Sequence, residues 1–123
     1  MDIVLFNTKA SEFYGKDGYL EHGIGIGKDA TLFLTRDNGI RVTGIDAWGW
    51  DAPFFLAKKQ YAKDGDALKV WQGHWAGIEQ PYCHMEKLLN LEKLPAHGFM
   101  VSCFPWKIKD ASGGFVRAVA MFD

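Results

Sequence analysis

Two histidines and a glutamate lie close together in the segment GHWAGIEQPYCHMEKL, residues 73–88. If YCHME (82–86) forms a strand, His84 and Glu86 share one of its faces, because side chains alternate between the two faces of a strand. The preceding segment can bring His74 to that face. Imidazole and carboxylate groups are ligands that zinc and manganese accept in proteins. The spacing leaves two interpretations open: part of a metal site, or a hydrogen-bonded His–Glu pair in a protein core.

The first part of the chain has the order strand, helix, strand. DIVLF (2–6) and IRVTGID (40–46) are apolar runs typical of strands, and the glycine-rich segment 22–39 between them leads into a helix that ends at Gly39. Two strands joined by a crossover helix favour a parallel pair. The sequence therefore predicts an α/β fold. The buried side of this helix is expected to contain Leu32, Phe33 and Leu34.

Two further helices are predicted in the middle of the chain. Residues 51–65 have Pro53 near the start and Gly65 just past the end of a helical segment. Residues 66–77 predict a second helix, although Gly73 disfavours it. The buried face of the first of these helices is expected to contain Phe54, Phe55, Leu56, Ala57 and Tyr61.

The last third of the chain predicts a hairpin from residues 98–108 and 114–122, which are separated by the turn-rich stretch KDASGG. FMVSCF is apolar on both faces apart from Ser102, which is typical of a central strand, and Pro105 would mark an edge or a bulge. Cys83 and Cys103 form no C-x-x-C pair, so we expect buried free thiols at both positions.

Composition excludes several classes of function. The chain has 123 residues, of which 48% are hydrophobic and 24% charged, and its formal net charge is −1. It has no basic cluster that could follow a phosphate backbone, so nucleic acid is not an expected partner. The apolar N-terminal run is too short for a signal peptide or a membrane span, which predicts a cytoplasmic protein without a membrane partner. The glycine run HGIGIGK fits neither nucleotide-binding pattern.

From DIVLFNT onward the sequence resembles the putative cyclase family of metal-dependent hydrolases, which includes arylformamidase (kynurenine formamidase) and isatin hydrolase. The matching pieces are RVTGIDAWGWD (41–51), the histidine of GHWAG, MEKLLNLEKLP (85–95), GFMVSCFPWKIK (98–109) and VRAVAMF (116–122). The interval from His74 to Glu86 equals the family's spacing between its downstream histidine and its glutamate. The resemblance covers nearly the whole chain.

The resemblance implies the C-terminal part of a swivelling β/β/α fold, with a mixed sheet and flanking helices, as one domain over residues 1–123. It implies a zinc or manganese site that activates water for attack on the C–N bond of an amide or lactam in a small, aromatic substrate. Glu86 would be a metal ligand, and His74 a ligand or a proton shuttle. The substrate pocket would contain Asp46, Trp48, Trp50, Asp51 and His84.

The family's upstream motif, H-x-G-T-H-x-D-x-P, is missing, since nothing of the form H-x-x-x-H-x-D occurs in the sequence. Three of the family's expected ligands are missing with it, whereas catalytic zinc needs three protein ligands and a water. Two functions stay open: a hydrolase whose site is incomplete in this chain, or a non-catalytic small-molecule-binding or assembly protein that carries no metal. The apolar strand surface left by a missing half-fold predicts a homo-oligomer or a second chain that supplies the missing ligands.

Overall fold

The computed structural model describes residues 2–122. Within this range the chain divides into two compact units, of which the first ends at Glu92 and the second begins at Lys93. The first unit holds a parallel sheet with helices, and the second holds an antiparallel hairpin. A single cyclase-like domain over residues 1–123 stays a prediction.

Three short parallel strands form the sheet of the first unit. They are β1 (Ile3–Phe6), β2 (Val42–Ile45) and β3 (Cys83–Met85), in that order across the sheet. Phe6 pairs with Ile45 in the β1–β2 register, and Met85 pairs with Gly44 in the β2–β3 register. The segments that follow the three strands therefore lie at one edge of the sheet. The α/β fold and the predicted parallel pair of β1 and β2 are confirmed.

Three α-helices accompany this sheet: α1 (Lys28–Leu32), α2 (Phe54–Asp64) and α3 (Gln72–Glu79). Helix α1 continues as a π-helical turn over Phe33–Asp37, and 3-10 turns occupy Ala10–Phe13, Ala67–Lys69 and Leu91–Lys93. The predicted helix at 66–77 is thus a 3-10 turn followed by the start of α3. Within residues 2–122, every helix falls short of the length and apolarity that crossing a bilayer requires.

The ends of α2 lie where the sequence predicts them. Pro53 precedes its first residue, and Gly65 follows its last residue with a φ of 68°, a left-handed conformation that favours glycine. The Gly65 amide donates to the Tyr61 carbonyl at 2.8 Å, which completes the last turn. Pro53 and Gly65 were therefore sufficient to predict where this helix begins and ends.

The predicted buried face of α2 is wrong, except for Ala57. Four large side chains of this set are exposed, namely Phe54, Phe55, Leu56 and Tyr61. Consecutive residues of an α-helix are about 100° apart around its axis, so the run at 54–57 covers most of the circumference and cannot face one core. An uninterrupted apolar run does not identify which side of a helix is buried.

Helix α1 and its π-helical continuation bury threonines rather than the predicted aromatic residue. Leu32 is buried as predicted, Leu34 is partly buried, and Phe33 is 59% exposed, which contradicts the prediction. Thr31 and Thr35 are buried because their hydroxyls donate to the carbonyls of Gly27 and Thr31, at 2.9 and 2.8 Å. A satisfied hydroxyl removes the cost that would otherwise keep threonine out of a core.

The core of the first unit is centred on Trp50, whose side chain is fully buried. Its ring meets that of Phe6 edge to face, with centroids 5.7 Å apart, and its indole Nε1 donates to Thr31 Oγ1 at 3.1 Å. The other buried members of this cluster are Ala10, Tyr19, Ile26, Ile45 and Ala47. The core therefore brings residues at and after the end of β2 together with residues that precede β2 in the sequence. The first group is Ile45, Ala47 and Trp50, and the second is Ala10, Tyr19 and Ile26.

In the second unit, β4 (Met100–Ser102) pairs with β5 (Val119–Met121) in antiparallel register, so the predicted hairpin is confirmed. The prediction that FMVSCF is a central strand is wrong, because the described sheet has two strands and Met100 is 69% exposed. Pro105 lies beyond β4 in an isolated bridge with Val116.

Both cysteines are free, as predicted, but neither is buried: Cys83 is exposed and Cys103 is partly exposed. Cys83 is the first residue of β3, which is an edge strand of the three-stranded sheet. Among the described residues, no further strand of this sheet covers the outer side of β3, and the Cys83 side chain is exposed to solvent. The apolar sequence around it did not indicate this edge position.

Candidate metal centre

The segment after β3 is attached to the end of β2 at the carboxyl edge of the parallel sheet. The Lys87 amide donates to the Ala47 carbonyl at 2.9 Å, and the Leu88 amide donates to the Ile45 carbonyl at 3.1 Å. Glu86, directly before them, is therefore fixed at this edge. Open α/β sheets bind ligands outside the carboxyl ends of their strands.

Three side chains that can bind a metal ion come together at this edge: His74, His84 and Glu86. One potential ligand atom from each lies within 4.8 Å of the other two. His84 Nε2 is 3.2 Å from Glu86 Oε1, and the rings of His74 and His84 meet edge to face with centroids 4.9 Å apart. Two imidazoles and one carboxylate form a donor set that catalytic zinc uses, so these residues fit a divalent metal.

Glu86 is held in the ionised form that a metal ligand needs. Burial alone would raise its pKa, but hydrogen bonds from His84 and from the Trp50 amide, together with the nearby charge of Lys87, lower the pKa to about 2. The Trp50 amide donates to Glu86 Oε1 at 2.9 Å, and Lys87 Nζ lies 3.3 Å from Oε2. This carboxylate is therefore anionic at neutral pH without a bound cation.

His74 lies in the first turn of α3, where it contacts Asp51 from the loop after β2. Its Nδ1 is 2.5 Å from Asp51 Oδ2, and its backbone amide donates to the same oxygen at 3.2 Å. The Gly73 amide donates to Asp51 Oδ1 at 2.6 Å. Asp51 thus satisfies two of the free amides at the start of α3, although it precedes them by 22 and 23 residues in the sequence.

A cavity of about 340 Å³ opens beside the cluster. Glu86, His74 and Asp51 contribute its acidic and basic lining, together with His22, whose ring stacks on Phe13 with centroids 3.5 Å apart. Most of the cavity lining is apolar, and its large apolar side chains include Leu20, Trp48, Pro53, Phe54 and Trp71. Two of the three candidate ligands, His74 and Glu86, therefore face a space that is mainly aromatic and apolar, as small-molecule sites commonly are.

Comparisons with known proteins agree with this architecture. Residues 1–52 match the sequence model of a family described as putative cyclase. A crystal structure of an isatin hydrolase bound to the product analogue thioisatinate superposes with a TM-score of 0.75 and 25% identity. The resemblance to the putative cyclase family is confirmed. The match covers 96% of this chain and 44% of the isatin hydrolase chain.

The chain thus has a cyclase-like hydrolase fold and spans less than half the length of that isatin hydrolase. No curated protein matches its sequence. The family match at residues 1–52 includes Asp46, Trp48 and Asp51 and ends before the segment that carries the three candidate ligands. The candidate metal site therefore rests on the geometry of these three side chains.

The residues predicted for the pocket of this cyclase-like chain occupy different places. Trp48 and Asp51 line the cavity, and Trp48 is half exposed, with Lys87 Nζ 4.4 Å from its ring centroid. Trp50 borders the cavity while its side chain belongs to the core. His84 and Asp46 are not among the lining residues; His84 joins the candidate ligands.

Asp46 is fully buried, and four hydrogen bonds hold its carboxylate. Thr8 donates to Oδ1 from its amide at 2.8 Å and from its hydroxyl at 2.6 Å. Ser11 donates to Oδ2 from its amide at 3.3 Å and from its hydroxyl at 3.2 Å. Burial raises the pKa of Asp46, but the hydrogen bonds from Thr8 and Ser11 lower it overall.

Sequence reasoning did not place nine of the fourteen lining residues in a site, and the largest side chains among them are Leu20, His22, Phe54 and Trp71. His22 lies beside glycines in a stretch typical of a loop, which gave it no chemical context, and Phe54 was assigned to a helix core. Trp71 adopts a φ of 56° as the residue before α3, which turns the chain into that helix. The tertiary packing that brings them to one cavity leaves no local pattern in the sequence.

Proposed function

We propose that this chain forms the His74–His84–Glu86 part of a cyclase-type hydrolase site, which acts on the C–N bond of an amide or lactam in a small, aromatic substrate with zinc or manganese. The observation that carries the proposal is the meeting of three ligand atoms within 4.8 Å beside an aromatic cavity. The similarity to an isatin hydrolase supports the reaction class.

The donor set supports a divalent metal with an open coordination position. Glu86 would contribute its ionised carboxylate, and His74 and His84 one neutral ring nitrogen each. The chemistry that bound zinc or manganese supplies is polarisation of a carbonyl group and activation of water. Three protein ligands leave room for a substrate or water molecule, as in catalytic zinc sites.

The cavity wall would orient the substrate. Trp48 is 51% exposed and Phe54 is 61% exposed, and both line the cavity, so their rings offer flat apolar surface to an aromatic substrate. Lys87, whose ammonium lies over Trp48 and beside Glu86, would keep a positive charge close to a carboxylate product. We expect substrate binding to depend on Trp48 more than on the buried Trp50.

A zinc titration tests the metal proposal. Metal-free protein is titrated with zinc in competition with a chromophoric chelator, for the wild type and for His74→Ala, His84→Ala and Glu86→Gln. We expect about one ion per chain in the wild type and affinity reduced by at least about tenfold in each variant. His97→Ala, which changes an exposed histidine of the second unit, is the control and should bind as the wild type does. Equal zinc binding by all five proteins would refute the proposed site.

A hydrolysis assay tests the reaction class. The zinc- and manganese-loaded proteins are incubated with isatin and with an N-formyl aromatic amide, and release of the carboxylate product is measured. Hydrolysis that the Glu86→Gln variant has lost would support the enzyme. Metal binding with no hydrolysis of either compound would refute the activity for this chain alone.

A second candidate function is non-catalytic small-molecule binding or assembly, and the exposure of large aromatic side chains favours it. Trp71, directly before α3, and Trp75, on α3, are both exposed, and so is Phe55 on α2. Monomeric proteins rarely leave extensive apolar patches in water. We propose that a second copy of this chain covers part of this surface. Sedimentation at micromolar concentration should reveal an oligomer, and a monomer with and without zinc would contradict this.

A further inference from the structure

The start of α3 is fixed firmly against the core, which defines where His74 can lie. A Cβ added at Gly73 would approach Trp50 Cδ1 to 2.4 Å and the Ile26 carbonyl oxygen to 2.8 Å. The Tyr82 hydroxyl also donates to the Gly73 carbonyl at 2.9 Å. Gly73 is therefore in close contact with buried groups, and the backbone of the next residue, His74, has little freedom.

With the backbone held in this way, the remaining freedom of His74 is the orientation and tautomer of its ring. The shortest contact of the Asp51 carboxylate is the one with the ring, at 2.5 Å between Oδ2 and Nδ1. The two amide contacts of the carboxylate, at 2.6 and 3.2 Å, are sufficient to cap the helix by themselves. The ring contact is an addition that capping does not require.

An ionised carboxylate accepts hydrogen bonds and cannot donate them, so Nδ1 of a neutral His74 must carry the proton in this contact. The lone pair is then on Nε2. We propose that Asp51 is a positioning residue that holds His74 as the Nδ1–H tautomer and so makes Nε2 its ligand atom. The consequence for metal binding rests on the proposed function, whereas the tautomer itself does not.

The substitution Asp51→Asn tests this directly. Asparagine caps helices about as well as aspartate, so Oδ1 can keep its hydrogen bond from Gly73. The amide nitrogen then occupies the position next to the ring, where it donates to Nδ1 and favours the Nε2–H tautomer, while the His74 backbone amide loses the Oδ2 acceptor that it has in the wild type. Asp66→Asn is the matched control, because Asp66 caps the turn Ala67–Lys69 through the Leu68 amide at 3.0 Å and does not belong to the ligand cluster.

Two readouts separate positioning from folding. The first is the nitrogen-15 NMR spectrum of the histidine rings in metal-free protein, at a pH where imidazole is neutral, with the His74 signals assigned by their loss in His74→Ala. We expect Nδ1–H in the wild type and in Asp66→Asn, and a shift toward Nε2–H in Asp51→Asn. The second is zinc affinity, which should fall by about 10- to 100-fold in Asp51→Asn and stay within about twofold in Asp66→Asn.

The outcomes distinguish this inference from the proposed function. An Nε2–H tautomer in the wild type overturns the inference, even if Asp51→Asn does not fold. A folded Asp51→Asn variant with unchanged tautomer also overturns it, whatever the zinc result. If the tautomer switches as expected but the wild type binds no zinc, the proposed metal function fails while the positioning of the ring by Asp51 stands.

Discussion

Replacing the buried Asp46 carboxylate should destabilise the whole first unit, because that carboxylate joins the ends of β1 and β2. Its partners Thr8 and Ser11 follow β1, and Asp46 itself follows β2. In Asp46→Asn one acceptor oxygen becomes an N–H donor. If the amide nitrogen faces Ser11, whose contacts are the longer pair, the Ser11 amide loses its acceptor and the remaining hydrogen bonds lose their charge.

Hydrogen bonds to charged groups contribute about 1.5–3 kcal/mol each, and an unsatisfied buried donor costs a similar amount. We therefore expect Asp46→Asn to lower the free energy of unfolding by about 2 kcal/mol. Asp46→Ala removes all four hydrogen bonds and should cost about 4 kcal/mol, since neighbouring contributions are not additive. For a chain of this size, 2 kcal/mol corresponds to a decrease in Tm of about 8 °C.

Urea denaturation followed by tryptophan fluorescence measures this change, with Asp17→Asn as the control for an exposed aspartate. The control should stay within about 0.5 kcal/mol of the wild type. Equal stability of Asp46→Asn and the control Asp17→Asn would refute the structural role of Asp46. Unchanged stability together with lost ligand binding would return Asp46 to the pocket role that the family resemblance implies.

The pH dependence follows from the same contacts. The pKa of Asp46 is lowered in the folded protein, so its stabilising contribution is present above the ordinary value of 3.8 and is lost as the pH falls through the lower folded value. The urea midpoint of the wild type should therefore decrease below about pH 4 more steeply than that of Asp46→Asn. Parallel pH profiles for the two proteins would contradict this assignment.

Two further changes probe the same unit. Gly25→Ala would bring a Cβ to 1.8 Å from the Ala52 amide nitrogen and should cost about 3 kcal/mol in urea denaturation, whereas Gly113→Ala, in open space, should be nearly neutral. Tyr19→Phe removes the donor to the Asp46 carbonyl at 2.9 Å and should cost about 1 kcal/mol. Burial raises the pKa of Tyr19 to about 12 in the folded protein. The contribution of the Tyr19 hydroxyl to the stability of the wild type should therefore be present below pH 10 and lost between pH 10 and about 12. Ultraviolet titration can follow the ionisation of this hydroxyl. A Tyr19 that titrates at its ordinary pKa would refute that reasoning.

The grouping of His84 and Glu86 was predictable because alternation along a strand is a local rule. The structure has their facing atoms 3.2 Å apart, and β3 has the predicted position. The approach of His74 also followed from chain order, since α3 immediately precedes β3. The boundaries of α2 were likewise readable, because proline and glycine act on their own backbone.

What could not be read from the sequence depends on contacts between distant residues. Asp46 meets Thr8 across 38 residues, and nothing local distinguishes a buried acceptor of four hydrogen bonds from a pocket carboxylate. The exposure of Phe54 and Cys83 depends on which faces of α2 and β3 receive neighbours. Hydrophobicity indicates that a residue can be buried, whereas topology decides whether it is.

The loop after β2 both lines the cavity and supports the candidate ligands. Its Trp50 amide donates to Glu86, and its Asp51 carboxylate contacts His74. Trp50 is anchored in turn, since its indole donates to Thr31 in the core. The WGWD sequence thus connects the core to two of the three candidate ligands, and of its two tryptophan rings that of Trp48 is the one exposed at the cavity. Substitutions at Trp50 should therefore alter metal affinity and stability together, and substitutions at Trp48 should alter substrate binding alone.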